Sequence, residues 1–408
     1  MASGYGLTIN PNGQQIYLTT PVPTSIPNRY TSKSANINSL VMNPANAASA
    51  GKSSTNLPRE AWIYKTIHAV LKMNVTASGA TGATVTSQSE QKNIFSNVSV
   101  YQGSGEAFYS LRGANIDALN RFFRNVRASN PIPGETYLTS AAAGTYPVTY
   151  EFDIDFQDPT VFPKLYSALN IDKNAGIDYA SLDMTFDTFA RLISGDTSGT
   201  YTIESLNLGF DVLDPSTPSF SAVPGKGVDI ITAAYTQTTQ FPRFQPNVMG
   251  SQQLLGTSNQ EISLPIGLAY RGILVQEWDP TNTIPELNDI TEFSLVRNRS
   301  DRKYDGVDSY LVNFDNAQRY ETDLFTNYAQ NLYFLDACPN RDIQQAVNTA
   351  VGGLQFAEWY LLVTNTSTAK PLCDIIPLVY QVPNLPSKHP AQNNGSAGVA
   401  KPLSVKKG

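Results

Sequence analysis

The residue types that most often carry out chemistry are scarce in this sequence. It contains two histidines, His68 and His389, and two cysteines, Cys338 and Cys373. Catalysis by a Ser–His–Asp or Cys–His group would have to use one of these histidines, but His68 lies in an apolar segment and His389 lies near the C-terminus. The cysteines are not in a C-x-x-C spacing and do not form a zinc motif. We therefore predict no catalytic, cofactor-binding or metal-binding residue.

Two groups of carboxylates have spacings that deserve comparison with known sites. Glu151, Asp153 and Asp155 alternate along one predicted strand, where three acids could bind Ca²⁺ or two could act as a glycosidase pair. The acids of residues 300–308, SDRKYDGVD, are not at the spacing of an EF-hand loop. A solvated strand face in the first case and a polar surface loop in the second are the simpler interpretations.

Tryptophan side chains offer a third kind of chemistry, because exposed aromatic rings can bind sugars. Trp278 and Trp359 are candidates, although Trp359 lies in the apolar run 356–363 and is therefore predicted to be core. Together with the carboxylates, these side chains keep a carbohydrate-binding or carbohydrate-cleaving function open.

The segments that would position these side chains mostly alternate apolar and polar residues. In residues 150–157, YEFDIDFQ, every second residue is apolar. Successive side chains of a β-strand point to opposite faces of the sheet, so the pattern predicts a strand with one buried and one solvated face. The other predicted strands are 62–75, 182–187, 206–212, 261–275, 293–296, 310–314, 331–335, 356–363 and 372–380.

Two longer segments have the period of an amphipathic helix. They are residues 115–127 and residues 316–328, with Asp315 as a possible N-cap of the second. Short helical turns are predicted near 161–169 and 189–193. Each longer helix follows a long strand and several shorter ones, so the two halves of the chain share an order of elements.

Composition excludes several classes of protein. With 408 residues the chain is long enough for two or three domains. Aromatic residues make up 10% of it, which a disordered chain would lack, and its net charge of −6 differs from that of a generic nucleic-acid binder, which is basic. We also find no signal peptide and no apolar stretch of about 18 residues, so we expect synthesis in the cytoplasm and no membrane span.

The two ends of the chain differ from its middle. Residues 1–57 are rich in Thr, Ser, Asn, Pro and Ala, and residues 386–408 contain four lysines and no acid. We predict an extended N-terminal arm and a flexible basic tail. Basic ends can contact anionic lipid or nucleic acid, but solvation of a loose tail is the simpler explanation.

Short strands joined by long polar connections favour β-sandwiches. The predicted fold class is all-β, with two tandem eight-stranded jelly-roll β-sandwiches, a double jelly roll, and short helices in the connections. The predicted first roll is 58–218 and the second is 219–385, with a Pro- and Gly-rich linker at 214–228.

Three segments resemble the double jelly-roll major capsid proteins of tectivirus-type tailless icosahedral double-stranded DNA viruses. AWIYKTIHAVLKMNVTAS at 61–78 resembles the first long strand of that family, and residues 93–123 resemble its strand–turn–strand–helix unit. TDLFTNYAQNLYFLDACPNRDIQQAV at 322–347 is similar to a late segment of the second roll. The similarity of layout spans about residues 58–382.

The resemblance implies a structural protein that is not an enzyme and has no cofactor. It implies homotrimers that contact neighbouring capsid trimers, penton proteins and minor capsid proteins in a virion made in the host cytoplasm, without specific binding to nucleic acid. It also implies contact between the N-terminal arm and the lipids of an internal membrane. The arm departs from the family, because Pro11, Pro21, Pro23 and Pro27 exclude a long helix there.

Two other functions compete with this one. A carbohydrate-binding or carbohydrate-cleaving β-sandwich would need a concave groove lined by carboxylates and aromatic rings. A surface adhesin would need a secretory route.

Overall fold

The structure is a computed structural model of the chain. It describes residues 28–35, 41–42, 51–58, 63–102, 107–123, 134–158, 160, 169–170, 180–213, 243–246, 249–255, 259–266, 268–278, 289–298, 301–320, 332–340, 346–349, 358–366 and 370–381. The predicted linker at 214–228 and the tail at 386–408 lie outside these residues.

The first half of the chain consists mainly of β-strands. These are β1 (Asn28–Ala35), β2 (Val41–Met42), β3 (Lys52–Asn56), β4 (Ile63–Ala77), β5 (Thr84–Val85), β6 (Phe95–Gln102), β7 (Ala107–Leu111), β8 (Gly144–Asp155), β9 (Leu169–Asn170), β10 (Ala180–Phe186), β11 (Ile193–Ser194) and β12 (Thr200–Leu213). The α-helices described in this half are α1 (Gln88–Lys92) and α2 (Gly113–Phe123), and a single 3₁₀ turn covers Phe189–Arg191.

The second half has the same character. Its described strands are β13 (Arg243–Pro246), β14 (Ser251–Gln253), β15 (Asn259–Ser263), β16 (Ala269–Trp278), β17 (Ile290–Arg297), β18 (Asp301–Asp308), β19 (Leu332–Asp336), β20 (Val347–Asn348), β21 (Trp359–Asn365) and β22 (Leu372–Gln381). Its described α-helix is α3 (Ser309–Tyr320).

Each half forms a sandwich of two antiparallel sheets. In the first half, sheet A1 has the strand order β1-β12-β4-β8 and sheet B1 has the order β3-β10-β6-β7. In the second half, sheet A2 has the order β13-β22-β16-β19 and sheet B2 has the order β15-β21-β17-β18. Each half therefore has eight main strands in two facing sheets of four, in the same order in both halves, which is the jelly-roll arrangement. The predicted double jelly-roll fold is confirmed.

The period of two accounts for the core between the sheets. Along β8, buried and partly exposed residues alternate from Val148 to Asp155. In the first roll, Phe95 of β6 meets Phe152 of β8 with 5.0 Å between ring centroids. In the second roll, Phe293 of β17 meets Tyr333 of β19, also at 5.0 Å. Apolar side chains from both sheets thus fill each sandwich.

Sheet A2 differs from an ordinary outer sheet because both of its faces are buried. All ten residues of β16 are buried. Ile273 and Val275 belong to the core of the second roll, whereas Leu274 belongs to a cluster that continues into the first roll. Runs without polar alternation are typical of strands buried on both faces. The outer face of sheet A2 is therefore where the two rolls meet.

Part of the predicted arm belongs to the first roll. β1 pairs with β12 in sheet A1, and β3 pairs with β10 in sheet B1. The exposed and half-exposed residues of β3 alternate, so this edge strand lacks the apolar side chains by which strands are predicted. We propose that the first roll extends back to Asn28, and we retain the remaining predicted domain bounds as a proposal.

Three predictions of secondary structure were wrong in detail. The strand predicted at 261–275 is two strands, β15 in sheet B2 and β16 in sheet A2. The strand predicted at 310–314 is the start of helix α3, because its buried residues recur with a helical rather than an alternating period. The polar loop predicted at 300–308 contains strand β18.

The two main helices begin earlier than predicted. α2 begins at Gly113 and α3 at Ser309. Asp315 lies inside α3, and the backbone N–H of Tyr310 donates to Asp308 Oδ1 at 2.8 Å. Asp308 therefore takes the N-terminal position that was predicted for Asp315. Glycine is required at 113, because a Cβ there would lie 1.9 Å from the backbone oxygen of Lys92.

An asparagine anchors each helix to its own roll. The Asn120 side chain donates to the backbone oxygen of Asp153 at 2.9 Å and accepts from the backbone N–H of the same residue at 2.8 Å. In the second roll, Asn316 donates to the backbone oxygen of Phe334 at 3.0 Å. Asp153 lies in β8 and Phe334 in β19, which hold equivalent places in sheets A1 and A2.

We expect replacement of Asn120 by alanine to lower the free energy of unfolding by about 1–3 kcal/mol, because it leaves two backbone groups of β8 without their partner. Urea unfolding measures this loss. Asn316→Ala is the matched control, and it should cost less because it removes a single hydrogen bond to β19. An Asn120→Ala variant as stable as the wild type would contradict this anchoring of α2.

Candidate functional site

The three acids of β8 lie on the outer face of sheet A1, and the neighbouring strand β4 contacts two of them. Thr66 donates to Asp155 Oδ1 at 2.8 Å, and the ring of His68 contacts Asp153. Partial burial, with a contribution from Glu135, raises the pKa of Glu151 above its usual value. Two of the three acids thus form cross-strand pairs on a partly exposed strand face, which agrees with the simpler interpretation.

The second acidic group and the tryptophans do not form a binding site either. Arg302 forms an ion pair with Asp305 on β18, and Asp308 caps α3. Trp359 is buried as predicted. Trp278, which was considered an exposed ring, is fully buried and lies beneath the guanidinium of Arg112 at 5.1 Å. The prediction of exposure was wrong, because the first roll covers this end of β16.

The remaining candidate groups give no reactive centre within the described residues. Cys338 and Cys373 are buried thiols, and burial raises the pKa of Cys373 well above its usual value. Among the residues that the structure describes, no three His, Cys, Asp or Glu side chains are grouped as metal ligands. His389 lies outside the described residues. No helix in the described part of the chain is both long and apolar enough to cross a lipid bilayer.

A cleft opens at one end of the first roll. Among the described residues, its lining includes Thr84, Glu90, Asp187, Arg191 and Ser194. Arg191 Nε donates to Asp187 Oδ2 at 2.9 Å, so these two charged side chains of the lining are paired. The described lining contains carboxylates but no aromatic ring, and the cleft therefore lacks the stacking surface that a sugar-binding groove would need.

The contact between the two rolls contains a buried guanidinium. Arg271 of β16 is fully buried and donates from Nε to Asp158 Oδ2, in the first roll, at 2.9 Å. It also pairs with Asp336 of the second roll and donates to Thr160 Oγ1 at 3.1 Å. Burial opposes the positive charge, but Asp158, Tyr320 and Asp336 outweigh it, so the pKa of Arg271 stays well above its usual value. One cation thus joins carboxylates of both rolls.

Two tyrosines complete this network. Tyr380 donates to Asp158 Oδ2 at 2.7 Å, across the contact between the rolls. Tyr320 donates to Asp336 Oδ2 at 2.6 Å. Burial raises the pKa of both phenols. Each carboxylate therefore has a hydrogen-bond donor in addition to the guanidinium, as a buried charge requires.

A second polar cluster forms where α2 meets sheet A2. Arg112 Nε lies 3.2 Å from Asp374 Oδ2, and Asn115 donates to the same oxygen at 3.2 Å. Asn115 also donates to Gln276 Oε1 at 2.7 Å, and Trp278 Nε1 donates to Asp374 Oδ2 at 2.9 Å. Asn115 of α2 and Arg112, which directly precedes the helix, thereby fix α2 on the outer face of the second roll.

Aromatic rings pack beside these polar groups. Phe122 of α2 lies 4.6 Å from Tyr320 and 5.0 Å from Phe334, measured between ring centroids. Phe123 meets Phe244 at 6.2 Å. Tilted and edge-on pairs at these distances are favourable beyond the area that they bury. The two rolls are therefore held in one orientation by charged, polar and aromatic contacts together.

The first roll contains a separate buried charge. The Lys92 side chain is 1% exposed, contacts Glu135 and lies 3.4 Å from Asp117 Oδ1. It also donates to the backbone oxygen of Glu151 at 3.1 Å and lies 5.2 Å from the ring centroid of Tyr150. This cluster joins α1, α2 and sheet A1, so it is a structural element of the roll.

Helix α3 carries a group of exposed apolar side chains. Tyr310, Leu311 and Phe314 are 60%, 61% and 54% exposed, whereas Val312 and Asn313 on the opposite side are buried. We call these three side chains the α3 face. Several large apolar side chains exposed together are typical of a surface that binds another macromolecule.

The sequence contained a signal for some of these residues. Arg271 is an isolated charge within the apolar run that forms β16, which indicates a buried ion pair, although its partner Asp158 cannot be identified from sequence alone. The α3 face was missed because residues 310–314 were assigned to a strand. Asn115 and Asp374 have no recognisable motif.

Comparisons with known proteins agree with this geometry. No protein-family model matches the sequence, and no curated protein matches it. Among solved structures, the MCP of STIV, the Sulfolobus turreted icosahedral virus, is 13% identical with a TM-score of 0.61, over 87% of this chain and 97% of that chain.

Two further solved structures are similar over nearly their whole length. VP54 of PBCV-1, fitted into a reconstruction of the virophage Sputnik, is 13% identical with a TM-score of 0.58, over 90% of this chain and 96% of that chain. The major capsid protein P2 of bacteriophage PM2 is 14% identical with a TM-score of 0.50, over 87% of this chain and 98% of that chain. At such identities the similarity establishes the fold, which is the double jelly roll of viral major capsid proteins.

Proposed function

We propose that this chain is a major capsid protein, which assembles as pseudo-hexameric trimers into the icosahedral shell of a tailless double-stranded DNA virus. The observation that carries the proposal is that one chain contains the same roll twice, with the two rolls fixed side by side by buried contacts. Similarity to viral major capsid proteins over 87% or more of the chain supports it.

The geometry suits a building block rather than an enzyme. Three chains with two similar lobes each give six lobes around a ring, and a nearly hexagonal block tiles a surface through repeated lateral contacts. Each contact can be weak, since a block that is held at many edges gains avidity. A rigid joint between the lobes is needed for this role, because a hinged pair would not present its edges at fixed angles.

The proposal extends to partners and location. Neighbouring trimers, penton proteins and minor capsid proteins would contact the block in a virion that is assembled from protein made in the host cytoplasm. The part of the arm before Asn28 is the segment that we propose to contact the lipids of an internal membrane. We propose no specific binding of nucleic acid and no catalytic activity.

The carbohydrate alternative has less support. It requires a groove lined by carboxylates and aromatic rings, whereas Trp278 and Trp359 are buried and the cleft of the first roll has no aromatic ring in its described lining. The adhesin alternative has no supporting observation in the described residues.

Light scattering of the purified chain tests the proposal. We expect a mass of about 133 kDa, which is three times the 44.4 kDa of one chain, during size-exclusion chromatography at micromolar concentration and above. A mass of 44.4 kDa that persists at the highest soluble concentration would contradict the proposed assembly.

A further inference from the structure

Helices α2 and α3 occupy equivalent places in the two rolls. α2 follows β7 and α3 follows β18, and the anchoring residues Asn120 and Asn316 bind equivalent strands. These asparagines are 316 − 120 = 196 residues apart. The same offset matches Ile116 with Val312, both of which are buried against their own roll. The two helices can therefore be compared position by position.

The side of the helix that is covered in α2 is exposed to solvent in α3. Asn115 of α2 faces the second roll, where it binds Gln276 and Asp374. The position that matches Asn115 is Leu311, which is 61% exposed. Ala118 and Phe314 match in the same way, one helical turn further on. Ala118 is buried, whereas Phe314 is exposed.

The strand registers indicate what would cover the α3 face. α2 lies on the outer face of sheet A2, and the equivalent surface is the outer face of sheet A1. Asp153 of β8 pairs with His68 of β4, and Phe334 of β19 pairs with Leu274 of β16. Because Asp153 and Phe334 are equivalent, their partners His68 and Leu274 are equivalent as well. Two residues further along each strand, Val70 is therefore equivalent to Gln276.

Polarity is complementary at the matched positions. Within the chain, polar Asn115 meets polar Gln276, and the match would place apolar Leu311 against apolar Val70. Within the chain, Phe122 meets Phe334. The position that matches Phe122 is Gln318, which is exposed, and it would meet Asp153, the equivalent of Phe334. In each of these pairs, the helix residue and the sheet residue are therefore either both polar or both apolar.

We infer that the α3 face of one chain docks on the outer face of sheet A1 of a second copy, centred on Val70, and reproduces between chains the contact that α2 makes within one chain. The inference rests on the proposed function, which supplies the number of copies that close the ring. The contact is head-to-tail, because the second roll of one copy meets the first roll of the next. The contact between two chains would thus resemble the contact between the two rolls of one chain.

Charge substitution in the α3 face tests the contact. Leu311→Lys with Phe314→Lys places two charges in the interface, and we expect the mass to fall from about 133 kDa, three times 44.4 kDa, to that of one chain. Val70→Lys, on the receiving surface, should have the same effect. Leu255→Lys is the matched control, because Leu255 is an apolar residue of the second roll that is 57% exposed and lies outside α3, and this variant should remain a trimer.

Cross-linking provides a second readout that does not depend on disrupting the protein. A chain with Leu311→Cys and Val70→Cys, treated with a short bis-maleimide, should give covalent species of two and three chains, whereas Leu311→Cys alone should give none. The native Cys338 and Cys373 are buried, and the unsubstituted chain controls for them. Dimers from Leu311→Cys alone would indicate contact between two α3 helices and would overturn the inference.

The outcomes separate this inference from the proposed function. A trimeric wild type whose double lysine variant is also trimeric would overturn the docking surface and leave the capsid proposal intact. A monomeric wild type would overturn the proposed assembly and the docking surface together. A monomeric double lysine variant with an unchanged circular dichroism spectrum supports both.

Discussion

Replacing Arg271 by alanine is expected to lower the free energy of unfolding by about 3–5 kcal/mol, because removal of one partner from a buried ion pair leaves the other charge uncompensated. Two carboxylates, Asp158 and Asp336, would lose their common cation, and one belongs to each roll. Urea unfolding monitored by circular dichroism measures the loss. The joint between the rolls should open before the rolls themselves unfold.

Arg302→Ala is the matched control for this experiment. Arg302 pairs with Asp305, but its side chain is 45% exposed, and exposed ion pairs contribute about 0–1 kcal/mol. A loss at Arg271 no greater than the loss at Arg302 would show that the buried network does not hold the two rolls together.

Replacing Lys92 by methionine is expected to cost a similar amount, about 3–5 kcal/mol, for the same reason. Methionine retains the length of the side chain but leaves the buried carboxylates of Asp117 and Glu135 without a cation. Because this cluster lies inside the first roll, the unfolding transition of that roll should move to lower urea while the second roll keeps its own.

Lys52→Met is the corresponding control. The Lys52 side chain is 55% exposed and lies 2.7 Å from Asp183 Oδ2, so we expect a loss of at most about 1 kcal/mol. If Lys92→Met and Lys52→Met had equal effects, the Lys92 cluster would not be a structural element of the first roll.

The strands of the sandwich interiors could be predicted because burial of one face imposes a period of two. Residues 150–157 and 206–212 show it; the first segment lies in β8 up to Asp155, and the second lies wholly within β12. The edge strands β1 and β3 could not be predicted in this way. β3 is composed of Lys, Ser, Thr and Asn, and its place depends on the backbone of β10, which lies more than 120 residues further along the chain.

The elements at the joint were harder to predict, because their environment comes from the other roll. Trp278 would be an exposed ring if β16 bordered on solvent, but Arg112 of the first roll covers it. In α3, four of the five residues 310–314, YLVNF, are apolar, and this short apolar run was predicted as a strand. The helical period becomes visible only when the exposure of each side chain is known.

The candidate site was predicted only in part. Scarcity of histidine and cysteine led to the prediction of no catalytic residue, and the family resemblance implied a structural protein. The contacts that would make it a building block depend on pairs far apart in sequence. Arg271 and Asp158 are 113 residues apart, and Arg112 and Asp374 are 262 apart. Such pairs form only when both rolls have folded, so a local pattern can indicate that Arg271 is paired but cannot identify its partner.

Single-particle electron microscopy of the purified wild-type chain tests the central claim most directly, namely that two fixed lobes per chain close into a ring with two other copies. The account predicts particles with six lobes and three-fold symmetry, in which helix α3 of one chain lies on sheet A1 of the next. Isolated two-lobed particles at micromolar concentration would contradict the claim, whereas rings in which α3 faces solvent would contradict only the docking surface.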